Sequence, residues 1–161
     1  HMCNSFIDYF KSKIVSIHNT IIGKLPTLSS PPPDRAHVGP TLDVPSPVSP
    51  EQVLAILNSI PAKSSPPDFI PTSLLKSCSG VFSLLISRLA NLSFSQGVFP
   101  TKFKVAQVTP ILKKPGLPSS DPANFRPISN LNNISKILER LFLSRLLPHI
   151  NSSSNFNSFQ S

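Results

Sequence analysis

The sequence predicts an α+β chain, mostly helical, with one peripheral β-hairpin, a helix-rich segment before it and one helix after it. Three observations lead there. Apolar residues recur every three or four positions in several separate stretches, as on one face of a helix. Lys104–Lys114 instead alternates and is rich in Val and Ile, as a strand would be. A loop rich in turn residues, with Pro115, Gly116, Pro118, Asp121 and Pro122, joins it to a second short strand, Phe125–Leu131.

Each element has its own justification. Phe6, Phe10, Ile14, Ile17 and Ile21 mark an amphipathic helix over residues 4–24, with Asn4 placed to cap it and Gly23 to end it. Such a helix is marginal without a packing partner. Residues 25–48 are crowded by prolines and show no period, which reads as an extended linker. Pro47-Val48-Ser49-Pro50 has the form of a PxxP ligand, although a plain spacer explains the same residues. Ser49, Pro50 and Gln52 make a helix start, followed by the stripe Val53, Leu54, Ile56, Leu57 and Ile60 and a stop at Pro61. After Pro71 the stripe resumes from Leu74 to Leu92, with Gly80 as a joint between two helices and Gly97 as the terminal cap. The hairpin strands carry Pro110 and Pro127, so neither strand belongs in the middle of a sheet. Ile134, Ile137, Leu138, Leu141, Phe142, Leu146 and Ile150 form the apolar side of the last helix. The tail from Asn151 to Ser161 is polar.

Composition narrows the function classes. The 161 residues allow one domain, or one domain and a tail. Pro and Ser make up 46 of them, so some stretches will not pack. The net charge of +8 suits an anionic partner, nucleic acid above all. The longest apolar run, Val81 to Leu92, is broken by Arg88 and Asn91, which argues against a membrane span. Asp8, Lys11 and Lys13 interrupt any signal-peptide pattern. Cys3 and Cys78 have neither disulfide nor zinc spacing, and an intracellular setting, nuclear or cytoplasmic, is expected. His1 precedes Met2, so the sequence reads as a piece of something longer.

The acids, Asp8, Asp34, Asp43, Glu51, Asp68, Asp121 and Glu139, are never within six residues of one another, and no Gly-rich phosphate loop is present. No catalytic residue and no metal ligand is assigned. The bases are more informative. Between Pro100 and Arg145 lie Lys102, Lys104, Lys113, Lys114, Arg126, Lys136, Arg140 and Arg145, against only Asp121 and Glu139, so +6 of the charge falls in this stretch. Lys113 and Lys114 at one strand end and Arg126 at the facing one could aim cations at a single anion. A solvated basic surface is the competing reading.

These residues carry a resemblance. Phe103-Lys104-Val105-Ala106-Gln107-Val108-Thr109-Pro110-Ile111-Leu112-Lys113-Lys114, then Asn124-Phe125-Arg126-Pro127-Ile128-Ser129, then Ser135-Lys136-Ile137-Leu138-Glu139-Arg140 resemble the start of the reverse transcriptase domain of LINE-type (non-LTR) retrotransposons. Upstream, Lys63 to Lys76 with Pro67-Asp68-Phe69-Ile70-Pro71, and Gly97-Val98-Phe99-Pro100, are similar to further family segments, with Ser65-Pro66 where the family commonly has Gly.

The resemblance implies a partial right-hand polymerase. Residues 49–161 would be an incomplete domain holding the pre-fingers helices and the fingers, with the palm as a missing partner. It implies that Arg126, Lys113 and Lys114 bind the incoming deoxynucleotide and that Lys102, Lys104, Lys136 and Arg140 bind template RNA. It also implies Mg²⁺ as cofactor of the full-length family, held by palm aspartates with no counterpart here, so that the fragment binds none and is inactive alone. The alternative is a non-catalytic basic RNA-binding or protein-docking remnant of a truncated element. Apolar helix faces left uncovered would promote self-association.

Overall fold

The computed structural model describes residues 2–24, 42 and 45–152. They divide into two compact units, residues 2–24 with 108–129, and residue 42 and 45–107 with 130–152.

The second unit holds the core. Ser49 caps helix α2 (Pro50–Ser59) through a complete capping box: its hydroxyl accepts from the Gln52 N–H, and the Gln52 side chain accepts from the Ser49 N–H. The chain then bends through residues 60–71 and forms α3 (Thr72–Ser77) and α4 (Ser79–Gln96). The joint falls at Cys78, just before the expected position at Gly80. Gly97, at φ 64°, ends α4 in the left-handed conformation, and Val98 N–H donates back to Ser93 O at 3.1 Å. A 3-10 turn at Thr101–Phe103 was not foreseen from the sequence pattern. The last helix, α5 (Asn133–Ser152), carries the apolar stripe expected from Ile134 to Ile150 and contains Pro148.

Val48, Val53, Leu57, Leu75, Ile86, Ala90, Ile137, Leu138 and Leu141 are buried together between α2, α3, α4 and α5. Each large side chain so buried contributes roughly 1.5–3 kcal/mol relative to exposure. The same helices leave Leu74, Val81, Leu85, Leu92 and Leu147 exposed, as the uncovered faces expected from the sequence. Most of the linker expected over 25–48 lies outside the described residues, as does the tail beyond Ser152. The described end of the linker is packed. Asn91 grips Val48 from both sides, accepting its N–H at 2.7 Å and donating to its carbonyl at 3.0 Å. Arg145 donates to Ser46 O at 2.6 Å, to Pro47 O at 3.1 Å and to Gln52 Oε1 at 2.9 Å. The Pro47–Pro50 stretch is thus built into the unit around α2.

The first unit is thinner. Helix α1 (Met2–Lys24) runs through both Asn4 and Gly23, which were expected to bound it. Two strands, β1 (Gln107–Leu112) and β2 (Phe125–Asn130), pair as a two-stranded antiparallel hairpin. Phe6 packs edge-on against Phe125 with ring centroids 4.8 Å apart. Beyond that contact, every side chain from Lys11 to Lys24 is exposed.

Candidate nucleic-acid interface

The hairpin is built from its loop. Asp121 Oδ1 accepts the Ala123 N–H at 2.9 Å and starts a 3-10 turn at Pro122–Asn124. Asn124 donates from Nδ2 to Pro118 O at 3.0 Å, and its own carbonyl accepts the Lys113 N–H at 2.8 Å. That last bond sets the register: continued along the two strands, Ile111 lies across from Arg126 and Pro110 from Pro127. Both prolines therefore occupy the pair whose N–H positions point away from the partner strand. Their lack of an N–H removes no bond from the ladder and blunts both outer edges instead.

The same register puts Lys113 and Arg126 on one face as diagonal neighbours, a relation that lets long side chains meet. Lys113, Lys114 and Arg126 are all exposed. Lys113 has a structural duty as well, since its ammonium donates to Ala123 O at 2.7 Å and holds the loop closed.

The other predicted cations belong to the second unit. Lys102 and Lys104 flank Phe103 at the 3-10 turn, and Lys136 and Arg140 lie one turn apart on α5; all four are exposed. Ser135 ties these segments together by donating to Phe103 O at 2.7 Å. Arg140 reaches Ser59 Oγ at the end of α2, at 3.4 Å. Arg145, counted in the basic stretch, is committed to the backbone around Ser46 and Pro47, and burial lowers its guanidinium pKa from the ordinary value. Part of the charge excess is therefore structural.

Two features here escaped the sequence reading. Lys102 Nζ lies 4.9 Å from the centroid of the Phe69 ring, and Phe69 is 62% exposed. Beside the turn, an apolar cavity of about 570 Å³ is lined by Phe94, Phe99, Phe103 and Phe142, with Lys104 and Glu139 at its wall. No sequence period reveals it, because its aromatics come from α4, the loop after it, the 3-10 turn and α5.

Among the described residues the acids do not gather. Among the described residues no cluster of three His, Cys, Asp or Glu is placed to hold a metal ion. Asp68 and Asp121 are engaged by backbone N–H groups, and Glu51 and Glu139 are exposed on different helices. The described donor set does not fit a pair of Mg²⁺ ions.

Comparison with known proteins finds relatives among the polymerases of transposable elements. The probable RNA-directed DNA polymerase from transposon BS of Drosophila melanogaster is 33% identical over 101 residues, which is 62% of this chain and 11% of that protein. The chain is related to the RNA-directed DNA polymerases of non-LTR retrotransposons. A second Drosophila melanogaster relative, the probable RNA-directed DNA polymerase from transposon X-element, is 35% identical over 50% of this chain and 9% of its own length. The retrovirus-related Pol polyprotein from the type-1 retrotransposable element R1 of Bradysia coprophila is 32% identical over 52% and 8%. The chain thus spans about a tenth of the length of the curated relatives it matches. No protein-family model matches it. No helix among the described residues is long and apolar enough to cross a membrane.

Proposed function

We propose that this chain is the fingers-end part of a retrotransposon RNA-directed DNA polymerase and serves it as a binding element. The hairpin contacts the incoming deoxynucleotide through Arg126, assisted by Lys113 and Lys114. Lys102, Lys104, Lys136 and Arg140 contact the template RNA. Chemistry, Mg²⁺ and the carboxylates that hold it belong to a palm elsewhere in such a polymerase. The observation that carries this reading is the relationship to polymerases together with an exposed Arg126 on the same hairpin face as Lys113.

The physical support is direct. A guanidinium forks onto two phosphate oxygens, while an ammonium already held by a carbonyl adds charge without rearrangement. The test is an equilibrium titration of the full 161-residue chain with a deoxynucleoside triphosphate and, separately, with labelled RNA at low salt. R126A is expected to weaken triphosphate binding about tenfold or more, consistent with charge-assisted hydrogen bonds of about 1.5–3 kcal/mol. K136A should weaken RNA binding with a shallower salt dependence. Equal triphosphate affinity of R126A and the parent chain would sink the hairpin assignment, and absence of RNA binding at low salt would sink the template assignment.

A further inference from the structure

We propose that Phe69 is a base-stacking platform for single-stranded nucleic acid, with Lys102 across its ring and Lys63 and Lys136 as its phosphate contacts. The inference rests on the nucleic-acid reading above and adds a residue and a mode of binding to it. Phe69 is not exposed because its loop is loose. On one side Asp68 accepts the Asn133 N–H at 2.6 Å and the Asn133 Nδ2 at 2.8 Å. On the other, Ile70 packs against the core, and Thr72 is buried and donates to Lys63 O at 3.1 Å. The two neighbours are held inward, and the phenyl ring between them is held out.

An exposed aromatic on a rigid loop, with a cation near its ring, is suited to a second flat partner. Nucleobases all offer such a surface, so stacking tolerates sequence but requires bases that are not already paired. The surrounding charges fit the phosphates. Asn133 Nδ2 also approaches Lys63 O at 3.5 Å, and Ser135 fastens the Lys102 turn to α5, so Lys63, Lys102 and Lys136 come from segments that meet at the start of that helix. All three are exposed. The acid at this junction, Asp68, has both oxygens engaged by Ser65 and Asn133; Glu139 lies a turn further along α5.

The chain contains no tryptophan, so F69W would report on this site alone. The experiment titrates the full chain and its variants with a short labelled single-stranded RNA and with its duplex, following anisotropy and, for F69W, intrinsic emission. F69W should be quenched as the single strand binds. F69A and F69L should each bind about tenfold more weakly, because stacking on an aromatic ring is lost. Their salt dependence should equal that of the parent, because stacking releases no counterions, whereas K63A and K136A should each lower the slope by about 0.7. The duplex should bind F69A and the parent equally. R126A, in the other unit, separates the two proposals: its effect on triphosphate binding is independent of Phe69. Unquenched F69W on a chain that anisotropy shows to be bound, or F69A affinity equal to the parent, would overturn the platform while leaving the hairpin assignment standing.

Discussion

Three N–H donors converge on the carboxylate of Asp68, from Ser65 and from the backbone and side chain of Asn133. The Asn133 amide also donates to Thr72 Oγ1, whose hydroxyl in turn donates to Lys63 O. The bend before α3 is thereby fastened to the first turn of α5, where a negative charge also favours the helix dipole. D68N should therefore be costly despite its matching shape, since an amide NH₂ would face another donor. The expected loss is about 1.5–3 kcal/mol, seen as a lower urea midpoint with an unchanged slope. An unchanged midpoint would mean that these bonds merely replace equally good ones to water. Gly97 is a simpler case. Nothing lies within 4 Å of a Cβ built there, so G97A strains only the backbone at φ +64°. A loss of about 1 kcal/mol on thermal or urea unfolding is expected. Glu51 carries a pH signature. The neighbouring Ser49 and its own backbone hold its carboxyl below the ordinary value of 4.5. A folded-state pKa below the unfolded one gives stability that is complete above about pH 4.5 and lost as pH falls through the folded value. Urea midpoints of the parent and E51Q should therefore differ at neutral pH and converge in acid.

At the scale of elements, what the sequence made legible is what is local. The Ser49 box and the left-handed Gly97 depend on neighbours a few residues away and stand where the pattern put them; the proline-bearing strands pair as expected, although β1 starts at Gln107 rather than Lys104. Contacts across long separations were not legible. Arg145 read as one cation in a basic stretch because its acceptors, Ser46 O and Pro47 O, lie almost a hundred residues earlier. Phe69 read only as a position in a motif, because nothing in the order of residues shows that Asp68 and Ile70 turn inward around it. The hairpin shows how a local rule acquires a further consequence in three dimensions. Pro110 and Pro127 were expected to keep the strands peripheral; in register they also deny both edges an outward N–H. Replacing both with valine restores those donors on two open edges. Sedimentation velocity should then show more association than the parent at equal concentration. Identical profiles would indicate that the edges are protected by some other feature.

The whole molecule is unevenly stabilised, and the imbalance makes a prediction. Buried apolar side chains surround α2, α4 and α5, whereas in the unit of α1 and the hairpin the buried hydrophobic residue among those described is Phe6. Local opening costs little where few apolar contacts must be broken, and approaches the global unfolding free energy where many must. Hydrogen exchange should therefore be slowest at the inward-facing turns around Leu57, Ala90 and Leu138, and fast from Lys11 to Lys24, where every side chain is exposed. The exposed Ile14, Ile17 and Ile21 give the experiment a second axis. A stripe of this kind is stable in water only if the backbone alone holds the helix, which is marginal for its length, or if another surface covers it. Exchange measured over a concentration series separates these cases. Protection of α1 that grows with protein concentration shows copies covering one another through that stripe. Fast exchange at every concentration shows that no second copy covers the stripe and that the helix is held by its backbone alone.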